Sequence, residues 1–199
     1  MPTSRFQFRL GPSSRANLNS GAHSRISSVN NKKGMMPQIS IRPASNPDVP
    51  EILDMVGELA EFEYARGEAI ATVSDFEAAL FGNSPSVFAV IAEVNGVTAG
   101  FALYFKNFST WLGKHGLYLE DLYVRPAFRG QGIGAHLLSH LAQICVDNGY
   151  PRFEWWVLDW NESARNVYGH LGAKALTEWI PYRVFGDALN ELAGKEPRS

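Results

Sequence analysis

The sequence has one cysteine, Cys145, in 199 residues. That excludes an internal disulfide framework and fits a reducing compartment, the cytoplasm. Long apolar runs are also missing. None approaches the roughly 18–20 residues of a membrane-spanning helix, so a membrane-embedded body is excluded. The first 34 positions hold no acidic residue, and Arg5, Arg9, Arg15, Arg25, Lys32 and Lys33 stand unbalanced there. The rest of the chain carries 12 basic and 20 acidic side chains. A domain of that sign repels phosphate backbones and attracts cationic small molecules, so nucleic acid is not an expected partner. No Gly-Lys-Ser/Thr follows a glycine run, which excludes a P-loop. His136 and His140 stand i, i+4 with no glutamate to complete a metal-binding H-E-x-x-H, and they read as a solvated face; no metal is expected.

What remains suits one domain with one buried core. Residues 1–34, rich in Ser, Asn and Arg without a sustained period, read as a disordered or non-native extension. Three origins stay open: a transit peptide, a flexible tail, or a stretch upstream of a true start at Met35-Met36. The folded domain is placed at residues 36–186 and a C-terminal tail at 187–199.

Residues 38–42 alternate as an edge strand closed by Pro43. Asp48 and Glu51 are spaced as a capping box for a helix with Ile52, Met55, Val56, Leu59 and Phe62 on one stripe. Ser74 and Glu77 repeat the spacing for a short helix ending near Gly82. Two β-rich runs then meet at Asn95-Gly96, a strong hairpin signal. "GLYLEDLYV" reads as a further strand, and 133–147 as a helix whose Leu137, Leu138, Leu141, Ile144 and Cys145 share a face. Cys145 on that face is an inert core thiol. "FEWWVLD" is another strand, Asn161 caps a helix to about residue 170, and 175–185 return as a last strand. The order predicts an α/β domain with a mixed sheet, antiparallel first and then crossing over through helices.

Arg129-Gly130-Gln131-Gly132-Ile133-Gly134 opens the central helix. Amides at a helix start bind phosphate, and glycines let a pyrophosphate approach the backbone closely. The segment is an anion cradle to which Arg129 adds a charge-assisted contact. Tight helix–sheet packing is one alternative. A dinucleotide fingerprint is another, with Gly130, Gly132 and Ala135 as its small residues and Glu154 as ribose ligand. The intervening "RPAFR" and the antiparallel hairpin before it argue against the fingerprint.

"LAEFEY", "WLGKHGLYLEDLYV", "RGQGIG" and "DWNESARNVYGHLGA" occur in that order. Together they resemble the GNAT acetyltransferase superfamily, and within it the spermidine/spermine N1-acetyltransferase, or diamine acetyltransferase, group. The resemblance implies a single GNAT-like α/β domain: a mixed, mostly antiparallel sheet with splayed central strands and helices on both faces. It implies acetyl-CoA as co-substrate. The pyrophosphate would lie on the amides from Gly130 through Gln131, Gly132, Ile133 and Gly134 to Ala135. The pantetheine arm would follow Leu122, Tyr123 and Val124 through the splay, with Asn161, Glu162, Ser163 and Ala164 completing that side.

An alkyl ammonium is only about a thousandth neutral near pH 7.4, a cost of roughly 4 kcal/mol, so a carboxylate or water relay should face the amine. Glu120 and Asp121 are adjacent on a strand and point to opposite faces unless a bulge re-aims one. Glu120 is read as the base, through water, because the matching family position binds the substrate amine. Asp121 is read as a buried acid satisfying splayed backbone. Tyr168, two turns after Asn161, is by spacing alone a core aromatic; the resemblance makes it the general acid. The Leu122 amide is the candidate oxyanion donor. Glu63, Glu120, Glu154, Trp155, Trp156 and Trp179 match substrate-contacting positions; the alternative for Trp155 and Trp156 is that one packs in the core and the other caps an edge. Acids with aromatic faces suit a diamine, a polyamine or a lysine-like amino acid. The loop between Trp111 and Glu120 is one residue longer than the family pattern and the turn from Gly172 to Trp179 two shorter, both in the substrate wall. Direct transfer in a ternary complex by a homodimer is expected. A non-catalytic acyl-CoA-binding sensor and a protein or peptide N-acetyltransferase are the alternatives.

Overall fold

The structure, a computed structural model, describes residues 37–194. The extension at 1–34 and both methionines of the proposed start lie outside the described residues. Five strands form one sheet in the order β1-β2-β3-β4-β5: β1 Ile39–Pro43, β2 Phe88–Val94, β3 Val97–Ser109, β4 Lys114–Val124 and β5 Phe153–Trp155. The first four pair antiparallel, and β5 joins β4 in parallel through a helical crossover. α1 (Val49–Phe62) and α2 (Val73–Phe81) precede the hairpin, α3 (Ile133–Asp147) is the crossover, and α4 (Glu162–His170) and α5 (Asp187–Leu192) follow β5.

Each sheet face buries its own core. On one, α1 contributes Val49, Ile52 and Met55 against Ile91, Phe101, Leu103 and Tyr123. On the other, Leu137, Leu138, Leu141 and Cys145 of α3 pack against Val90, Ala102, Leu117 and Leu119. Cys145 is thus a buried free thiol. Asn95 and Gly96 make the hairpin turn with φ of 53° and 79°, and Asn95 Oδ1 also accepts the Gln38 amide at 3.0 Å.

Three expectations need correction. The capping boxes are displaced: Ser45 pairs with Asp48 ahead of α1 and Thr72 with Asp75 at α2. Glu51 is drawn away instead, accepting Arg125 Nη1 at 2.8 Å and the Thr98 hydroxyl at 2.9 Å. "FEWWVLD" forms only three residues of strand, because β4 bulges at Glu120 and turns away from it. Residues 175–185 form no strand. Pro181 cannot donate to a ladder and the free edge of β5 is three residues long, so the segment has no strand partner among the described residues. Asp187–Leu192, inside the expected C-terminal tail, form α5.

β3 and β4 approach closely where Gly100 opposes Val124, and a Cβ there would collide with the Tyr123 carbonyl oxygen. Gly100→Ala is expected to cost about 1–3 kcal/mol by thermal unfolding. An unchanged Tm would mean that this register is not held in solution.

Candidate active site

β4 is regular to Leu119, which pairs with Tyr104, and resumes at Asp121, which pairs with Leu103. Glu120 is the extra residue of a β-bulge. The consequence is a change of face. Leu119 belongs to the α3-side core, whereas Asp121 shares a side with Leu103, which lies in the α1-side core. β5 stops pairing at the same point, Leu119 against Trp155, so Glu120 to Val124 have no strand on that flank. The two parallel strands diverge into a gap edged by the backbone of Leu122, Tyr123 and Val124.

Acids gather on the α1 side of this gap. Asp121 is largely buried, and burial, with the neighbouring Glu120 and Glu63 carboxylates adding to it, pushes its carboxyl from 3.8 to about 6. Glu63, at the end of α1, is raised by partial desolvation. Tyr168 packs against the α3-side core with its ring 5.1 Å from Trp155. Burial first and the Glu63 carboxylate second raise its phenol above 10. Its ring rests on one face while its hydroxyl senses a carboxylate from the other, so the two sides meet at the gap.

The glycine segment lies at the far end of β4. Gly130 and Gly132 take φ of 76° and 80°, values that favour glycine, and added side chains would meet open space at Gly130. No side chain caps α3 at Gly132, so the amides of its first turn keep their donors. Open space at Gly130 and uncapped amides fit a diphosphate, while the His136 ring lies beside Gly132, its Nδ1 3.0 Å from the Gly132 carbonyl oxygen. α4 differs: Asn161 Oδ1 accepts the Ala164 amide at 3.2 Å, which takes that donor. Arg129 turns toward β4, its Nε donating to the Val124 carbonyl at 2.9 Å.

Other sequence-assigned residues sit differently. Glu154 is tied to Asn107 Nδ2 at 2.8 Å, with Arg152 Nε 2.7 Å away, two positions back from the bulge. Trp155 is partly buried and packs against the α3-side core, whereas Trp156 is 61% exposed and lies edge-on to Tyr118. Trp179, in the unpaired segment, is 69% exposed. A further aromatic cluster, Phe62 and Tyr64 with rings 5.7 and 6.1 Å from Trp160, flanks Glu63. The run Phe62-Glu63-Tyr64 was the signal available for it. His140 lines an apolar cavity far from these groups, and no cluster of three potential metal ligands occurs among the described residues.

The acetyltransferase (GNAT) family matches residues 53–173, from α1 through α4. The chain belongs to this family. It is therefore an acyltransferase, an N-acetyltransferase. Thialysine N-epsilon-acetyltransferase of Sus scrofa is 38% identical over 171 residues, covering 80% of this chain and all of that protein. An L-ornithine N5-acetyltransferase of Arabidopsis thaliana is 30% identical, covering 76% of this chain and 86% of that one. Among solved structures, an integron cassette protein from V. cholerae superposes with a TM-score of 0.66 at 27% identity, over 80% of this chain and 99% of its own.

Ionising Asp121 opposes folding. Its folded value lies above the unfolded one, so its contribution to stability is fully present below pH 3.8 and is lost as pH rises through about 6. At pH 7.5 Asp121→Asn is expected to stabilise the fold by about 1–3 kcal/mol and to lower kcat/KM for the amine. Denaturant titrations at pH 4.5 and 7.5 check it, since the gain should shrink at the lower pH. Equal stabilisation at both would exclude a raised carboxyl.

Proposed function

We propose that this protein transfers an acetyl group from acetyl-CoA to the side-chain amine of a small basic amino acid, by direct transfer in a ternary complex. The observation that carries the reading is the bulge at Glu120, which sets two carboxyls of β4 beside Glu63 at the mouth of the gap. The two relatives support an amino acid over a polyamine, because each is named for acetylating a side-chain nitrogen. The acids draw in an ammonium, and the Phe62, Tyr64 and Trp160 rings flank its methylene chain.

In this reading the amides from Gly130 to Ala135 hold the diphosphate, and the backbone from Leu122 to Val124 lies along the pantetheine. Acetyl-CoA supplies the acyl group and a thiol leaving group. Glu120, exposed at the bulge, takes the proton from the ammonium through water, with Asp121 sharing the charge. The Leu122 N–H stabilises negative charge on the carbonyl oxygen. The Tyr168 hydroxyl, protonated throughout the neutral range, gives its proton to the departing sulfur as the C–S bond breaks, and the phenolate regains a proton from the newly acylated nitrogen. No cysteine lies near these groups, so no acyl-enzyme is invoked. The buried free thiol Cys145 supports a cytoplasmic setting. The reading includes a homodimer: Trp179, Ile180, Tyr182 and Phe185 stand 66–91% exposed in the single chain, surface of the kind a second subunit covers.

Thiol release over thialysine, lysine, ornithine, diamines, polyamines and a lysine peptide tests the reading. The basic amino acids are expected to give the highest kcat/KM, and Tyr168→Phe to lower kcat by about 10²–10⁴-fold with little change in KM. Wild-type turnover in that variant removes Tyr168 as the acid. CoA binding without thiol release from any amine would instead favour a sensor.

A further inference from the structure

Arg129 is the basic residue nearest the glycine segment, and its side chain faces elsewhere. Its Nε donates to the carbonyl of Val124, the last residue of β4, at 2.9 Å. Its guanidinium lies 5.1 Å above the Phe62 ring and 5.4 Å from the Tyr123 ring. Phe62 in turn meets Trp160, at 5.7 Å between rings, just before the Asn161 cap of α4. Its chain neighbour is Glu63, one of the gathered acids. A chain of stacked groups thus runs from the glycine segment, across the end of β4 and the end of α1, to the start of the helix that carries Tyr168.

We propose that Arg129 is a positioning residue that joins the co-substrate and amine halves of the site, and not a ligand of the diphosphate. The inference rests on the acetyl-CoA reading above. The Val124 carbonyl lies on the flank that β5 leaves uncovered, and Nε satisfies it there, fixing the edge of the gap. The flat guanidinium meanwhile fills the space between β4 and α1, holding the Phe62–Glu63 corner against the gap. Only a planar cation does both, since a lysine ammonium is a point charge without a stacking face. A phosphate ligand has the opposite tolerance, because an ammonium binds phosphate well.

Four forms of the full chain distinguish the roles: wild type, Arg129→Lys, Arg129→Met and Phe62→Leu. Each is assayed with acetyl-CoA and with S-acetyl-pantetheine, which lacks the diphosphate, and CoA affinity is measured by calorimetry. Both Arg129 variants are expected to lose about tenfold or more in kcat/KM for the amine, by similar factors with either donor. Phe62→Leu should raise the amine KM several-fold while CoA affinity stays within about twofold, and this variant carries the test if those at Arg129 fold poorly. The proposal is overturned if Arg129→Lys keeps wild-type behaviour while Arg129→Met fails. It is equally overturned if the loss is confined to acetyl-CoA, or if Phe62→Leu leaves the amine KM unchanged. Wild-type chain that neither binds CoA nor releases thiol defeats the acetyl-CoA reading itself, and this inference with it.

Discussion

One added residue in one strand organises the site. A β4 in uninterrupted register would put Glu120 and Asp121 on opposite faces and continue its pairing with β5. The bulge changes both at once: Asp121 turns toward the α1 side, and the parallel pair ends at Leu119 and Trp155. The gap then exposes backbone donors and acceptors that a sheet interior would have consumed. An open strand flank within a domain leaves polar groups to be satisfied. Arg129 covers one of them, the Val124 carbonyl, and the proposed pantetheine arm would cover others. The feature that weakens the sheet locally is the one that makes room for chemistry.

The charge distribution follows from the same geometry. Asp121 is forced into a largely buried place beside two other acids, and its proton is held to about pH 6. Elsewhere the fold avoids this. Glu51 and Glu58 face Arg125 at 2.8 and 3.3 Å, and Asp48 and Glu93 face Arg42 at 2.8 and 2.7 Å. These four carboxylates have guanidinium partners, whereas none of the ion pairs among the described residues includes Glu63, Glu120 or Asp121. An acidic group left without a cation in a structured cleft is a place where a cationic substrate improves the electrostatics on binding.

How far the sequence disclosed this depended on the range of the signal. Asn95-Gly96, the glycine segment before α3 and the Asn161 cap were legible because each is decided within a few residues. The capping boxes were misplaced because Ser45 and Thr72 offer the same spacing as Asp48 and Ser74, and tertiary partners settled the competition, Arg125 drawing Glu51 away. The bulge was open in the sequence only as a condition, since counting two residues against one requires the partner strand. The last strand failed for a related reason: alternation over 175–185 shows that a segment could pair, not that an edge awaits it. Phe62 and Trp160 are far apart in the chain and are joined only by folding, whereas Trp155 and Trp156 stand out as neighbours in the sequence; Trp155 packs against the α3-side core.

The pairing of Phe62 with Trp160 bears on how such a site changes substrate. In the proposed reading the acyl donor would meet mainly backbone from β4 and the start of α3. In the proposed reading the surface facing the amine would be side chains from the end of α1 and the stretch before α4, where Phe62 and Tyr64 meet Trp160. Helix termini tolerate substitution and small shifts better than strands locked in register. If the acyl donor is held by backbone and the acceptor by side chains at two helix ends, as proposed, the amine could vary while the donor half stays unchanged. Of the departures from the diamine pattern noted in the sequence, the one around Trp179 lies outside the sheet, whereas the stretch from Trp111 to Glu120 is mostly β4 itself, which starts at Lys114 and runs into the bulge.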